Sequence, residues 1–193
     1  MIDLEKEQEK LQKEGKELLN EIKLLEFLSK FGEVEIGGSF DSGVMTWRDI
    51  DLGVIADELR DENYWEIVKF LYYLKDYYHS LYIQDFRKSD NPNSLKGLYI
   101  GLKIKYLNNF WKIDVWYVNP RKENELNFND WLKKNLTNKN KKIILEIKSL
   151  IHDNPKYRKE IFSVDIYKAV IEENVKNLEE FKGYLKKTNR SLD

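Results

Sequence analysis

The chain of 193 residues contains no cysteine and only two histidines, His79 and His152, 73 positions apart. A disulfide framework, a thiol nucleophile, an Fe–S cluster and Cys-ligated zinc are therefore excluded, and no His-rich metal site can form. Basic surplus is missing as well. Against 34 Asp+Glu stand 33 Lys+Arg, a net charge of -1, which argues against an electrostatic grip on a long nucleic acid. Long apolar runs are also lacking: the longest uncharged, mostly apolar stretch is Gly97 to Leu102, far short of a membrane span. The opening Met1-Ile2-Asp3-Leu4-Glu5-Lys6 has neither the basic start nor the apolar run of a signal peptide. These absences predict a cytoplasmic protein with no membrane partner.

What remains is rich in carboxylates. Any bound metal would be a hard cation held by oxygen. With 41% hydrophobic and 13% aromatic residues, the chain also has ample material for a core.

Residues from Leu4 to Lys30 read as one amphipathic helix. Leu4, Leu11, Leu18 and Leu25 recur every seven positions, but Gln8 and Gly15 spoil the second seam. The spacing favours a helix packed on its own domain over a dimer seam. Alternation predicts strands at Glu33 to Ile36, Ile50 to Ala56 and Leu81 to Phe86, with a hairpin formed by Gly97 to Tyr106 and Phe110 to Val118. Apolar residues at helical spacing predict a helix over Asp61 to His79, its aromatics belonging to the core. Asp90-Asn91-Pro92-Asn93 reads as a turn. After Pro120 the texture turns helical, near Asn129 to Leu136, Lys139 to His152, Asp165 to Glu173 and Leu178 to Lys187, the last started by Asn177 and Glu180. The expected fold is α/β (α+β): a mixed, largely antiparallel sheet of about five strands with helices on one side, over residues 1–120, then a helical region, 121–193.

One constellation carries chemistry. Ile36-Gly37-Gly38-Ser39 ends a strand, and ten positions after Ser39 comes Asp49-Ile50-Asp51-Leu52. A Gly-Gly-Ser turn lets backbone approach a polyphosphate closely, and a helix starting there would offer free N–H groups and the Ser39 hydroxyl. Asp49 and Asp51, two apart on a strand, project from one face, while Ile50 and Leu52 point into the core. That pair suits Mg²⁺. A third carboxylate, Asp114, stands alone in the apolar strand Trp111-Lys112-Ile113-Asp114-Val115-Trp116. Burying it unpaired would be costly, and either a metal or Lys112 on the same face would offset that cost. Arg48 beside the Asp-X-Asp could neutralise phosphate charge or pair with a carboxylate. Lys103, Lys105 and Lys112 could line the pocket.

Taken in order, these parts resemble the polymerase-β-like nucleotidyltransferase superfamily over residues 31–118, and the run from Gly38 to Asp51 resembles its small stand-alone bacterial members. The resemblance implies transfer of a nucleoside monophosphate from an NTP to a small-molecule or protein acceptor with release of pyrophosphate. It implies that Asp49 and Asp51 hold two Mg²⁺ (or Mn²⁺) ions, and that Asp114 holds the catalytic one and helps deprotonate the acceptor. Gly37, Gly38, Ser39 and Arg48 would bind the nucleotide. Alternatives are a non-catalytic or partner-regulated nucleotide-binding module, antitoxin-like, and an RNA-modifying transferase. A homodimer or a protein partner would be met through the N-terminal helix.

Overall fold

The computed structural model describes residues 3–91, 95–121 and 127–193. Pro92 and Asn93 of the expected turn lie outside the described residues. The chain divides into two compact units: Gln12–Asp41 with Trp47–Leu126, and Met1–Leu11 with Ser42–Thr46 and Asn127–Asp193.

The first unit carries five strands, β1 (Glu33–Gly37), β2 (Asp49–Ile55), β3 (His79–Asp85), β4 (Gly97–Tyr106) and β5 (Asn109–Val118), in the order β1-β2-β5-β4-β3. Only the central β2–β5 seam is parallel; the other pairs are antiparallel. The mixed, largely antiparallel sheet expected from the sequence is therefore present. Along β2, Ile50, Leu52 and Val54 are buried, while Asp49, Asp51 and Gly53 are half-exposed. This is the alternation of a strand with one face in the core. β4 and β5 supply Leu98, Ile100, Leu102, Trp111, Ile113 and Val115 to the same core. Their connection is the two-residue turn Leu107-Asn108, both left-handed (φ 45 and 62), as a tight hairpin requires.

Two helix expectations need correction. The N-terminal helix is not continuous. The helix α1 (Leu4–Glu21) stops before Lys23, which is left-handed (φ 52), and α2 (Leu24–Leu28) starts after it. The break lets Leu24 and Leu28 bury completely and stacks Phe27 on Phe70, centroids 3.9 Å apart, a gain that local helical spacing does not reveal. Leu11, Leu18 and Ile22 are buried too, so the leucine stripe of α1 is used within the chain. The brief helix α3 spans Gly38–Ser42. The next helix, α4, covers only Asp61–Tyr72, and His79 belongs to β3 instead. Apolar spacing continues past Tyr72, but Tyr72, Tyr73 and Tyr78 are 64, 55 and 72% exposed. With no buried face to hold it, a further helical turn gains nothing, and those tyrosines are not core residues.

The second unit contains α5 (Phe128–Asn135), α6 (Asn138–Leu150), α7 (Ser163–Ile171) and α8 (Leu178–Lys187). Asn127, Thr137 and Asn177 cap three of them. Glu180 also accepts from the Lys176 amide and the Asn177 side chain, completing the start read from the sequence. Lys148 of α6 is wholly buried and donates to the Val44 carbonyl at 2.7 Å and the Tyr167 hydroxyl at 3.3 Å. No helix among the described residues is long and apolar enough to cross a membrane.

Candidate functional site

The candidate residues Gly37, Gly38, Asp49, Asp51 and Asp114 converge at the β1–β2–β5 junction. Gly37 pairs with Asp51 across the antiparallel β1–β2 ladder, and Asp51 pairs with Asp114 across the parallel seam. Asp49 is opposite Lys112. Because side chains alternate, the three carboxylates and Lys112 share one face of the sheet. Gly38 is left-handed (φ +63), and a Cβ there would collide with the Asp51 carboxylate. Glycine is thus required twice, by conformation and by the closeness of the backbone to Asp51. Ser39 follows as a buried residue in α3.

Asp114 is 9% exposed and does not stand alone. Tyr99 of β4 donates its hydroxyl to Asp114 Oδ1 at 2.7 Å, and the Lys112 ammonium pairs with Oδ2. Lys112 Nζ also lies 3.8 Å from Asp49 Oδ1. Burial works against the lysine's charge, but the carboxylates of Asp49, Asp114 and Asp51 outweigh it and hold its pKa above the usual lysine value. Burial first, then the bond to Asp114 and the surrounding carboxylates, raises the Tyr99 pKa. Trp47 Nε1 donates to Asp49 Oδ2 at 3.3 Å.

Tyr99 and Trp47 are the residues of the candidate site that sequence reasoning missed. The signal for Tyr99 is in the ladder: Gly101 is directly opposite Asp114. Its missing side chain leaves the space that the Tyr99 phenol fills, and a Cβ at Gly101 would lie 2.6 Å from that hydroxyl. Arg48 takes the second of its two sequence readings. It pairs with Glu14 of α1 through Nε (3.2 Å) and Nη2 (3.0 Å), its guanidinium 6.0 Å from the Trp111 ring. Lys103 lies over Phe110 at 4.8 Å, and Trp111 is fully buried in the core. Trp116 is half-exposed, with its centroid 5.0 Å from Tyr99 and 5.3 Å from Phe86.

No protein-family model and no curated protein sequence matches the chain. Solved structures do match. One is the poly(A) polymerase complex GLD-2–GLD-3, at TM-score 0.54 and 13% identity over 89% of this chain. Another is Cid1, whose structure was described for its RNA terminal uridylyl transferase activity, at TM-score 0.54 and 18% identity over 83%. At these identities the likeness is one of fold: the chain shares the fold of these two solved proteins. The chain spans 58% and 46% of the two chains it matches.

The donor set on this sheet face bears on metal binding. Oxygen-only side chains on one face suit a hard divalent cation. Among the described residues, however, no three acidic or histidine side chains close into a metal-binding group. Instead the Lys112 ammonium lies against Asp114 and near Asp49. These carboxylates collect positive charge, and a lysine on a flexible, half-exposed stem supplies one unit of it.

Proposed function

We propose that the chain is a metal-dependent nucleotidyltransferase, moving a nucleoside monophosphate from an NTP to a small-molecule or protein acceptor and releasing pyrophosphate. The observation that carries this reading is the alignment of Asp49, Asp51 and Asp114 on one sheet face, with Gly38 backed against Asp51. Asp49, Asp51 and Asp114 would hold Mg²⁺ (or Mn²⁺), with Lys112 yielding its place. The metal would clamp phosphate oxygens and stabilise charge on the attacking and leaving oxygens. Gly37, Gly38 and Ser39 would bring backbone and hydroxyl to the β- and γ-phosphates. The acceptor oxygen bonds to the α-phosphorus, the bond to pyrophosphate breaks, and the acceptor proton passes towards Asp114. Tyr99 holds that carboxylate by its Oδ1, fixing its orientation. Arg48 would add its charge to the nucleotide only by leaving Glu14.

A second reading, transfer onto the end of a short RNA, is favoured by the rings beside Asp114. Tyr82, Phe86, Tyr99 and Trp116 have centroids 5.0 to 6.2 Å apart where they touch, a surface on which bases can stack. The solved structures of matching fold are, by their descriptions, a poly(A) polymerase and an RNA terminal uridylyl transferase.

The test is thermal stabilisation by each NTP with and without Mg²⁺, in the wild type and in Asp49→Asn/Asp51→Asn. Metal-dependent stabilisation that the double substitution abolishes is expected, and no response to any NTP overturns the proposal. Pyrophosphate release with oligonucleotides or with cell extract then separates the two acceptor readings.

A further inference from the structure

The sheet has two edges, and they differ in kind. β1 carries Glu33 and Glu35, the latter paired with Arg121 at 2.9 Å. Charge of this sort blocks edge-to-edge pairing. β3 has its one such pair only at its end, where Arg87 holds Asp85 at 2.7 Å. Its sequence, His79-Ser80-Leu81-Tyr82-Ile83-Gln84-Asp85, contains no Lys, Arg or Pro, and it pairs with β4 over seven consecutive residues without a bulge. It is also open on both faces, with Tyr82 59% and Ile83 40% exposed and Trp65 of α4 beside it at 53%.

The ladder fixes which backbone groups face outward. The Phe86 amide donates to the Gly97 carbonyl and the Lys105 amide to the Tyr78 carbonyl. Even-numbered residues of β3 therefore exchange hydrogen bonds with β4, and the odd ones alternate with them. The N–H and C=O groups of His79, Leu81, Ile83 and Asp85 point to the free edge, in one unbroken row.

We infer that this edge pairs antiparallel with the same edge of a second copy of the chain, about a dyad through Tyr82. Only a pairing of odd with odd residues satisfies the outward groups, and the dyad at Tyr82 uses the whole strand. His79 then faces the partner's Asp85, and Leu81 faces the partner's Ile83. Apolar thus meets apolar and Tyr82 meets the partner's Tyr82, while Asp85 keeps its own ion pair with Arg87 and the His79 ring its contacts to the Tyr72 and Tyr77 carbonyls. Such self-complementarity is what a twofold interface requires, and each matched pair adds to sheet pairing. The result is one continuous ten-stranded sheet with both candidate sites on it. Tyr82 in turn touches Tyr99 edge-to-face, 6.0 Å between centroids, which brings the dyad close to each Asp114. The inference does not depend on the proposed transferase activity.

Because the chain has no cysteine, single cysteines report the register directly. At the dyad the two copies of residue 82 would form a non-hydrogen-bonded pair, with Cα atoms about 4.5 Å apart, close enough for a disulfide. Residue 80 faces the partner's residue 84 instead. Sedimentation and light scattering should give a dimer for the wild type and a monomer for Tyr82→Lys, whose like charges would meet at the dyad. Under mild oxidation, Tyr82→Cys should cross-link at least about tenfold faster than Ser80→Cys. A wild-type monomer at all concentrations overturns the inference. So does equal cross-linking of Tyr82→Cys and Ser80→Cys, which places any dimer contact elsewhere even if Tyr82→Lys fails to fold.

Discussion

Replacing Gly38 with alanine tests the core of the candidate site with a single methyl group. Two costs follow from the structure. Gly38 has φ +63, a conformation that costs an ordinary residue roughly 1–2 kcal/mol. The added Cβ would also lie only 3.0 Å from the Asp51 carboxyl carbon and closer still to Oδ2, an overpacking penalty of about 1–3 kcal/mol. Alanine returns about 0.4–1 kcal/mol by narrowing the unfolded ensemble. The net expectation is a loss of about 2–3 kcal/mol. Urea titration followed by circular dichroism measures it, and Gly53→Ala is the control. Gly53 is two residues beyond Asp51 on the same face of β2, yet a Cβ there meets nothing nearer than 3.5 Å, so its substitution should fall within about 0.5 kcal/mol of wild type. If the two variants lose the same stability, or if Gly38→Ala loses less than about 0.5 kcal/mol, the close approach of Gly38 to Asp51 is refuted.

Lys112→Met leaves Asp49 and Asp114 without their ammonium. It should cost about 1–2 kcal/mol, less than a fully buried pair because half of Lys112 is exposed. Thermal melts should recover part of that loss in Mg²⁺, and a melt unchanged by Mg²⁺ counts against a cation role for the carboxylates. A separate expectation concerns alkaline pH. Burial pushes the Tyr64 phenol up to about 12 while it donates to the Tyr99 carbonyl at 2.8 Å. The raised folded value means that the contribution of Tyr64 is complete below about pH 10 and lost as pH climbs towards about 12. Denaturation midpoints measured across that window should fall less steeply in Tyr64→Phe than in wild type. Equal slopes would show that Tyr64 is not protected in the native state.

Much of the sheet could be read from the sequence because its signals are local. The alternation in β2 and the two apolar runs around Leu107-Asn108 are complete within a dozen residues. The Asp-X-Asp face follows from the same alternation. What escaped depends on partners distant in the chain. Nothing near Lys23 marks the helix break, which arises because Phe27 finds Phe70. The helical spacing after Asp61 runs on past Tyr72 because sequence cannot tell an exposed tyrosine from a buried one. Arg48 allowed two readings, and only the fold supplies Glu14. Tyr99 became visible once the ladder placed Gly101 opposite Asp114.

The parallel seam between β2 and β5 has a consequence for how the site assembles. Gly37 and Asp51 belong to the β1–β2 pair, Asp114 and Tyr99 to the β4–β5 pair. Each pair closes a short loop and can form early, whereas the seam joins residues far apart in sequence and must form late. Where it closes, Asp51 meets Asp114 directly, a repulsive pairing, and one step along Asp49 meets Lys112, an attractive one. The last step of sheet formation thus carries an electrostatic toll at Asp51 and Asp114. A cation at that point lowers it, so ions in the folding buffer should change the rate of folding as well as final stability.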